Sequence, residues 1–383
     1  MNKQRNYYRA VVISEDHYNA LGVLRSLGEA GFDTTLVLLT TGATYTDLCR
    51  YVTTCIKIEK SEENIITQII EEAKKRYYCI LFPLCDYAAL AIDQHYSCLP
   101  QNVLVPHMNG HMNEYLDKNR MKRVAESCGI HVPYGIIIDT GSAIDVGRWN
   151  IYPAIIKPLL SVEGVKSDIA TVTNLNELDK AILTFRNKGY KRALLEEFIT
   201  GEDSHMVEVL GYRNTKGATT VSGIVKKIRE YPINNGSTAY AEIVDVHNDV
   251  DTDLIDLMLN KLGYVGLFDI EYKYANGVSY FIECNFRNGA PSYAFTKIGE
   301  NIPANWIASN DICGEVQLKN KKENMYFMCE QNDLMNMLKG YVPKIKWLKE
   351  YFTSNKVFNN KKDKKPVTRY YWLFFKQVVF RKQ

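Results

Sequence analysis

Glu283, Asn285 and Arg287 alternate with Ile282, Cys284 and Phe286 in the run Tyr280-Phe281-Ile282-Glu283-Cys284-Asn285-Phe286-Arg287. On a strand, an acid, an amide oxygen and a cation therefore share one face. Such a row is poor core. It suits a shelf for a hard cation and a phosphate, because Mg²⁺ takes oxygen ligands and keeps positions for substrate phosphates. Just upstream, Gly266-Leu267-Phe268-Asp269-Ile270-Glu271-Tyr272 places Asp269 and Glu271 on one face in the same way. A half-exposed hairpin with solvated acids shows the same pattern, so both readings stand at this point.

Pairing parity sharpens the expectation. A two-residue turn at Asn276-Gly277 sets 271 opposite 282 and 270 opposite 283, which points the two acidic faces apart. Only an odd loop or a bulge brings them together. A three-residue loop, Ala275-Asn276-Gly277 with Gly277 left-handed, sets Asp269 opposite Glu283. Shifting that loop by one residue sets Glu271 opposite Glu283 instead. A bulged hairpin is expected.

Three further segments carry chemistry. Lys157 ends the apolar strand Ala154-Ile155-Ile156-Lys157-Pro158 and enters a loop with Ser161, Gly164, Lys166 and Ser167, whose cations and backbone N–H groups can meet phosphates. The same lysine also suits an edge-strand gatekeeper. Glu196-Glu197-Phe198-Ile199-Thr200-Gly201-Glu202-Asp203 leaves a strand into a turn. Its backbone can pair with a base edge, Phe198 or Ile199 can wall the pocket, and Asp203 can accept ribose hydroxyls; an acidic strand end before a turn is the plainer reading. Lys226-Lys227-Ile228-Arg229 precedes Pro232 and Asn234-Asn235-Gly236-Ser237, either as cations ahead of a lid or as a solvated basic strand.

The elements that must position these residues follow from pattern. Strand, helix and strand are read at 10–13, 19–30 (amphipathic, stopped by Gly31) and 34–39, then a strand at 79–83 and a helix from Asp86. Alternating strands and helices imply a parallel, doubly wound sheet. Ser14-Glu15-Asp16-His17 lacks the dinucleotide glycine fingerprint and is not read as a cofactor site. From about Asn113 the character changes: Asp117 caps a helix to about Ser127, Gly129 ends it, and strands recur at 151–156, 193–199, 206–210 and 220–228 before the carboxylate hairpin. A helical region follows Pro303, and 353–365 reads as a polar link. The fold class is thus α/β followed by α+β, with a boundary near residue 112.

Composition is that of a globular enzyme-sized chain: 383 residues, 46% hydrophobic and 24% charged. Nine cysteines, odd in number and without a Cys-x-x-Cys pair, read as reduced core residues of a cytosolic protein rather than a disulfide frame or zinc site. No apolar signal region or bilayer-spanning run is seen. Residues 356–383 hold nine Lys/Arg against one Asp, a net of +8, which leaves −5 for the rest of a chain of net +3. A mildly acidic body argues against nucleic acid as partner.

In order and spacing these pieces resemble the ATP-grasp superfamily over about 113–310: Asp117-Lys118 opening a helix that ends Gly-Ile-x-Val-Pro, Ile156-Lys157-Pro158, the 196–203 linker, and Gly266-x-x-x-x-Glu271 twelve residues before Glu283-x-Asn285-x-Arg287. The resemblance implies a Rossmann-like domain at 1–112, an ATP-grasp domain at 113–310 and a C-terminal helical extension at 311–383. It implies ATP phosphates held by Lys118 and Lys157 with Ser161, Gly164 and Lys166. The adenine would be held by Glu196 and the Glu197, Phe198 and Ile199 segment, and the ribose by Asp203. Two Mg²⁺ ions, with Mn²⁺ as a substitute, would sit on Glu271, Glu283 and Asn285, with Asp269 competing with Glu271. Arg287 would steady the transferred phosphoryl group or the substrate carboxylate, and Arg229 would grip the acceptor. The phosphate loop has one glycine where many relatives have several. The pattern is most similar to the branch that ligates amino acids or small carboxylates, D-aspartate ligase-like enzymes of cell-envelope synthesis among them. It implies ATP-dependent carboxylate–amine ligation through an acyl phosphate. Carbamoyl-phosphate-synthase-like or purine-pathway carboxy-phosphate chemistry is the alternative within enzymes, and a catalytically lapsed nucleotide-binding protein the alternative outside them. Partners are a small carboxylate and an amine, with a homo-oligomer left open.

The tail carries Tyr370, Tyr371, Trp372, Phe374 and Phe375 among Arg369, Lys376, Arg381 and Lys382. Packing on the body as a terminal helix is the preferred expectation; lying on an anionic membrane at the inner face is the other.

Overall fold

The computed structural model describes residues 8–75, 78–141, 149–160, 168–234, 236–244, 250–312 and 325–380, with side chains described as far as Lys376. The chain opens as β1 (Tyr8–Ser14), α1 (Tyr18–Glu29), β2 (Asp33–Leu38), β3 (Val52–Lys57), α2 (Glu62–Ala73), β4 (Tyr78–Pro83), α3 (Asp86–Gln94) and β5 (Val103–Leu104). These strands form a parallel sheet in the order β3-β2-β1-β4-β5. Alternation on β1 explains the layering. Ala10 and Val12 face the cluster containing α1, while Val11 and Ile13 face the cluster of α2 and α3, so both faces are covered as a parallel sheet requires.

α1 departs from the amphipathic expectation. Tyr18 through Leu27 are all buried, because the helix lies between the sheet and the later helices α8 and α9 (Ser292–Ile298 and Ile302–Ser309).

A short α4 (Met112–Tyr115) leads to α5 (Lys118–Ser127). Asp117 accepts from the Arg120 N–H at 2.9 Å, and Gly129 takes φ 87° just past the helix, as the capping pattern requires. A four-stranded antiparallel sheet follows, from β6 (Gly135–Asp139), β7 (Ala154–Pro158), β8 (Ala170–Val172) and β9 (Arg192–Glu197), with α6 (Leu175–Asn187) on it. The larger sheet has the order β14-β13-β10-β11-β12-β15-β16. Its strands are β10 (Met206–Arg213), β11 (Thr219–Tyr231), β12 (Ser237–Val244), β13 (Gly266–Ala275), β14 (Val278–Asn285), β15 (Met325–Met328) and β16 (Asn355–Lys356). α7 (Thr252–Leu262) precedes β13; α10 (Glu330–Leu338) and α11 (Lys344–Thr353) lie between β15 and β16; α12 (Lys365–Phe380) ends the chain.

The segment expected as a polar link is instead a strap. β16 adds to the sheet edge parallel to β15, Val357 and Phe358 are buried, and Asp363 meets the fully buried Arg25 of α1 at 2.9 Å. Arg25 also donates to the carbonyls of Val357 and Phe358 at 3.0 and 2.8 Å. A buried guanidinium needs such partners, and here they come from more than 330 residues along the chain. The first turns of α12 pack on the body through Tyr370, edge-on to Tyr45 and Phe358. Further along, Trp372, Phe374 and Phe375 are exposed, so the packing expectation describes only the start of the helix. Among the described residues no helix is long and apolar enough to cross a membrane.

Candidate active site

The hairpin β13–β14 is bulged, as expected, but the bulge lies in the strand rather than at the turn. Asn276 and Gly277 both have positive φ, 53° and 79°, and Ala275 pairs with Val278: a two-residue primed turn, not a three-residue loop. Pairing runs normally to Tyr272 opposite Phe281, then slips, so that Glu271 stands opposite Glu283 and Asp269 opposite Asn285. Ile282 is the extra residue of a β-bulge. The bulge alone restores parity, placing Asp269, Glu271, Glu283 and Asn285 on one face. Asp269 opposite Glu283, the alternative pairing, is excluded.

β10 extends this face. Glu208 pairs with Glu271 on its other side, so Glu208, Glu271 and Glu283 form a row across three strands. Beyond β10, Lys227 of β11 is fully buried, with Nζ 3.0 Å from Glu208, 2.8 Å from Glu230 and 3.0 Å from Glu271. Burial works against the ammonium, but the three carboxylates more than reverse it and hold the Lys227 pKa well above the usual lysine range. Burial raises Glu230 above the carboxylate range, with Lys227 opposing. Glu208 also accepts from the Thr238 hydroxyl at 2.5 Å. Sequence reasoning missed Glu208 and took Lys227 for part of a lid. A single acid at period two among apolar residues, Val207-Glu208-Val209, was the available signal.

Asp269 is buried, like Glu208. Burial first, then the charges of Glu208 and Glu271, push its pKa well above the ordinary range. Gly289 lies directly against it; a Cβ there would sit 2.9 Å from Asp269 Oδ2. Arg287 caps the row, donating to Asp86 at 2.8 Å and to Asn285 Oδ1 at 3.1 Å. Burial disfavours its charge, but Asp86 and Asp269 outweigh that and keep it raised.

The lysines approach from the smaller sheet. Lys157 meets Glu196 at 2.5 Å, and Lys122 pairs with the other oxygen of the same carboxylate. Despite burial, Lys157 and Lys122 hold the Glu196 pKa below its usual value. Glu196 therefore positions Lys157, a different task from the adenine contact expected of it, and Lys122 is a member the sequence reading overlooked. Lys118 opens α5, its N–H donating to the Leu159 carbonyl at 3.0 Å; burial lowers its pKa while Glu283 opposes. The Phe281 N–H bonds the His131 carbonyl at 2.8 Å, so the segment after α5 docks on the edge of β14.

Lys118, Lys157, Glu196, Glu197, Phe198, Ile199, Glu271 and Glu283 line one open cavity, walled also by Ile155, Ile169, Met206 and Ile282. The N–H groups of Glu197 and Phe198 are engaged by the carbonyls of Tyr134 and Pro153.

Two expected residues lie elsewhere. Asp203 accepts from the Glu230 and Asn234 N–H groups at 2.8 and 2.7 Å; it pins the turn over the cavity instead of facing a ribose. In that turn Gly236 cannot be replaced, since a Cβ would sit 2.2 Å from the Pro232 carbonyl oxygen. Arg229 forks onto Asp333 at 2.9 and 2.7 Å, reaches Glu350 at 2.8 Å and lies over the Tyr240 ring. It ties β11 to α10 and α11 and lines neither this cavity nor the neighbouring one, since Lys227 and Arg229 sit across a register shift. Ser161, Gly164 and Lys166 lie outside the described residues.

A second cavity, of about 300 Å³, shares Glu271 and Glu283 with the first. Its wall adds Glu208, Asp269, Asn285, Arg287 and, from the parallel sheet, Glu15, His17 and Asp86. These last residues follow β1 and β4, the neighbours at which the strand order reverses. The carboxyl ends of such strands part and open a crevice, so the segment dismissed for want of glycines does line a site.

The row offers only oxygen donors, which suits Mg²⁺, and the buried Asp269 Oδ1 and Glu208 Oε2 have no hydrogen-bond partner among the described residues. Orphaned carboxylate oxygens of this kind fit a cation. They do not form a closed cage: among the described residues no three His, Cys, Asp or Glu side chains converge as a metal site, because Glu271 is turned to Lys227 and Asn285 to Arg287.

No family model matches the chain. It is 25% identical over 259 residues to the D-aspartate ligase of Enterococcus faecium, covering 62% of this chain and 61% of that one. It is 34% identical over 89 residues to the D-alanine–D-alanine ligase of Aquifex aeolicus, 23% of this chain and 29% of the relative. The chain thus spans less than two thirds of the length of either. Among solved structures, the N5-carboxyaminoimidazole synthetase of Staphylococcus aureus complexed with ADP superposes with a TM-score of 0.63 over 87% of this chain and 86% of that one, at 13% identity. That is a likeness of fold.

Proposed function

The chain has the ATP-grasp fold, and from that premise we propose that it is an ATP-dependent carboxylate–amine ligase that works through an acyl phosphate. One observation carries the reading: Glu271 and Glu283, paired across the hairpin, are the shared wall of two cavities, one with paired lysines and an apolar lining, the other with Glu208 and Arg287 among acids. ATP takes the first cavity, with Lys118 and Lys157 on its phosphates and Phe198, Ile199 and Ile155 against the base. The carboxylate takes the second, held by Arg287 at the edge of the row. Asp269, Glu271, Glu283 and Asn285 would hold Mg²⁺, two ions with Mn²⁺ as a substitute, and the metal would neutralise phosphate charge.

Transfer of the γ-phosphoryl group to the carboxylate oxygen yields ADP and an acyl phosphate, with the lysines countering charge on the phosphoryl oxygens. The amine then attacks the acyl carbon, an amide bond forms and phosphate leaves. An acyl phosphate must be kept from water, and the turn that Asp203 pins over the first cavity serves that end. An amino acid or another small carboxylate is the proposed substrate, with cell-envelope or capsule precursor synthesis as the setting. The division into 1–112, 113–310 and 311–383 is part of this proposal.

The test is ADP release measured across amino acids and small carboxylates, with hydroxylamine present to trap the acyl phosphate. ADP and a hydroxamate forming together with one carboxylate support the reading. Bicarbonate-dependent ADP release without an amino acid would transfer it to carboxy-phosphate chemistry, and no release with any acid would leave a nucleotide-binding protein.

A further inference from the structure

The C-terminal helices carry an apolar surface that the ligase reading does not use. On α11, Ile345 is 85% exposed, Phe352 77% and Leu348 49%. Their spacing, i, i+3 and i+7, draws them into one stripe along the ten-residue helix. Trp347, on the opposite side, is buried. Lys344, Lys346 and Lys349 flank the stripe. On α12, Trp372 and Phe375 are 50% and 66% exposed, and Arg369 and Lys376 lie over the Trp372 ring at 4.4 and 5.3 Å. The strap links the two helices: Asn359 donates to the Tyr351 hydroxyl of α11 at 3.3 Å, and the neighbouring Phe358 packs edge-on to Tyr370 of α12.

Charge decides what such a surface meets. Residues 339–383 hold thirteen Lys/Arg against two acids, a net of +11, which leaves −8 for the rest of a chain of net +3. A second copy would set two such fields against each other, and like charges across an interface are unfavourable. An anionic bilayer accepts both features at once. Apolar side chains enter the boundary between headgroups and acyl chains, and the interleaved lysines stay with the phosphates.

We propose that α11 and α12 together form a docking face for an anionic membrane surface, with Ile345, Leu348, Phe352, Trp372 and Phe375 as inserting side chains and Lys344, Lys346, Lys349, Arg369 and Lys376 as phosphate contacts. The face is wider than the C-terminal tail: its most exposed residue, Ile345, lies on α11. No residue of 325–380 lines either cavity of the candidate active site, so docking leaves both open.

The experiment is flotation of the full-length protein with vesicles of phosphatidylcholine alone and of phosphatidylcholine with phosphatidylglycerol. Binding is expected only to the anionic vesicles, falling as salt rises. The triple change Ile345→Ser, Leu348→Ser, Phe352→Ser lowers partitioning by more than about tenfold, and each of Lys344→Gln, Lys346→Gln and Lys349→Gln by about fivefold. All of these residues are away from the cavities, and unchanged thermal unfolding shows that the variants fold. Equal binding to neutral and anionic vesicles, binding to neither, or full binding by the α11 triple variant would overturn the proposal. Concentration-dependent self-association that the triple change abolishes, without vesicle binding, would assign the face to a second copy instead. Binding to an acidic polypeptide but not to the anionic vesicles would overturn it as well.

Discussion

Replacing Lys227 by methionine removes one ammonium and leaves three glutamates facing one another inside the sheet. Methionine keeps the length of the side chain and fills irregular space, so the change isolates charge from packing. Heavy-atom contacts of 3.0, 2.8 and 3.0 Å put the charge centres about 4 Å apart, worth about 4 kcal/mol each at an effective dielectric near 20. That makes about 12 kcal/mol of gross attraction, most of it offset by desolvation of the four groups. What the variant loses is the net cost of uncompensated buried carboxylates, about 3–5 kcal/mol. For a cooperative unit of about 200 residues this lowers Tm by about 10 °C. The measurement is thermal unfolding with a chelator present, so that no divalent cation replaces the lysine.

The sign with pH follows from linkage. The Lys227 pKa is raised above its unfolded value, so the ammonium itself is lost only above about pH 10, and below that its contribution lasts while the facing carboxylates stay ionised. In the variant the carboxylates are forced to share a site without a cation, and their protonation relieves the strain. The deficit against the native protein therefore shrinks as pH falls from 7 toward about 4–5. A Tm within about 2 °C of native at neutral pH, or a deficit that does not narrow with acid, would refute the argument.

Three further outcomes are expected. Glu283→Gln keeps the fold and removes ADP release by at least about a hundredfold; turnover near native in a folded variant would end the ligase reading. Asp203→Asn loosens the turn at 230–236, raising KM for ATP about tenfold with little change in kcat and exposing that turn to limited proteolysis; a fall in kcat with KM unchanged would place Asp203 at the chemistry. Asp363→Ala strands the buried Arg25 and costs about 3–5 kcal/mol in urea unfolding, and an unchanged midpoint would return 353–365 to the status of a link.

Much of the site is local in sequence, and that part was legible. Period-two alternation in 266–272 and 280–287 selects Asp269, Glu271, Glu283, Asn285 and Arg287 as one face's worth of residues, and parity demands an extra residue in the hairpin. The position of that residue was not legible. Either a bulge in the strand or a three-residue loop satisfies the alternation, and in the fold Phe281 and Tyr272 pair across the strands and share the core.

Charged residues at a distance were the least legible, because an ion pairs with whichever partner folding brings to it. Asp203 and Arg229 have the right chemistry for ribose and acceptor, but backbone amides at 230 and 234 reach the first, and Asp333 with Glu350 the second. Lys227 gathers Glu208, Glu230 and Glu271 from three strands, and Arg25 awaits a strap near the other end of the chain. By itself the sequence determined the strands, the helix caps and the acids that share a face, since those follow from periodicity over a few residues. Only the tertiary structure decided which acids meet a lysine and which line a cavity, because low-dielectric burial makes each buried charge depend on its nearest partner in space.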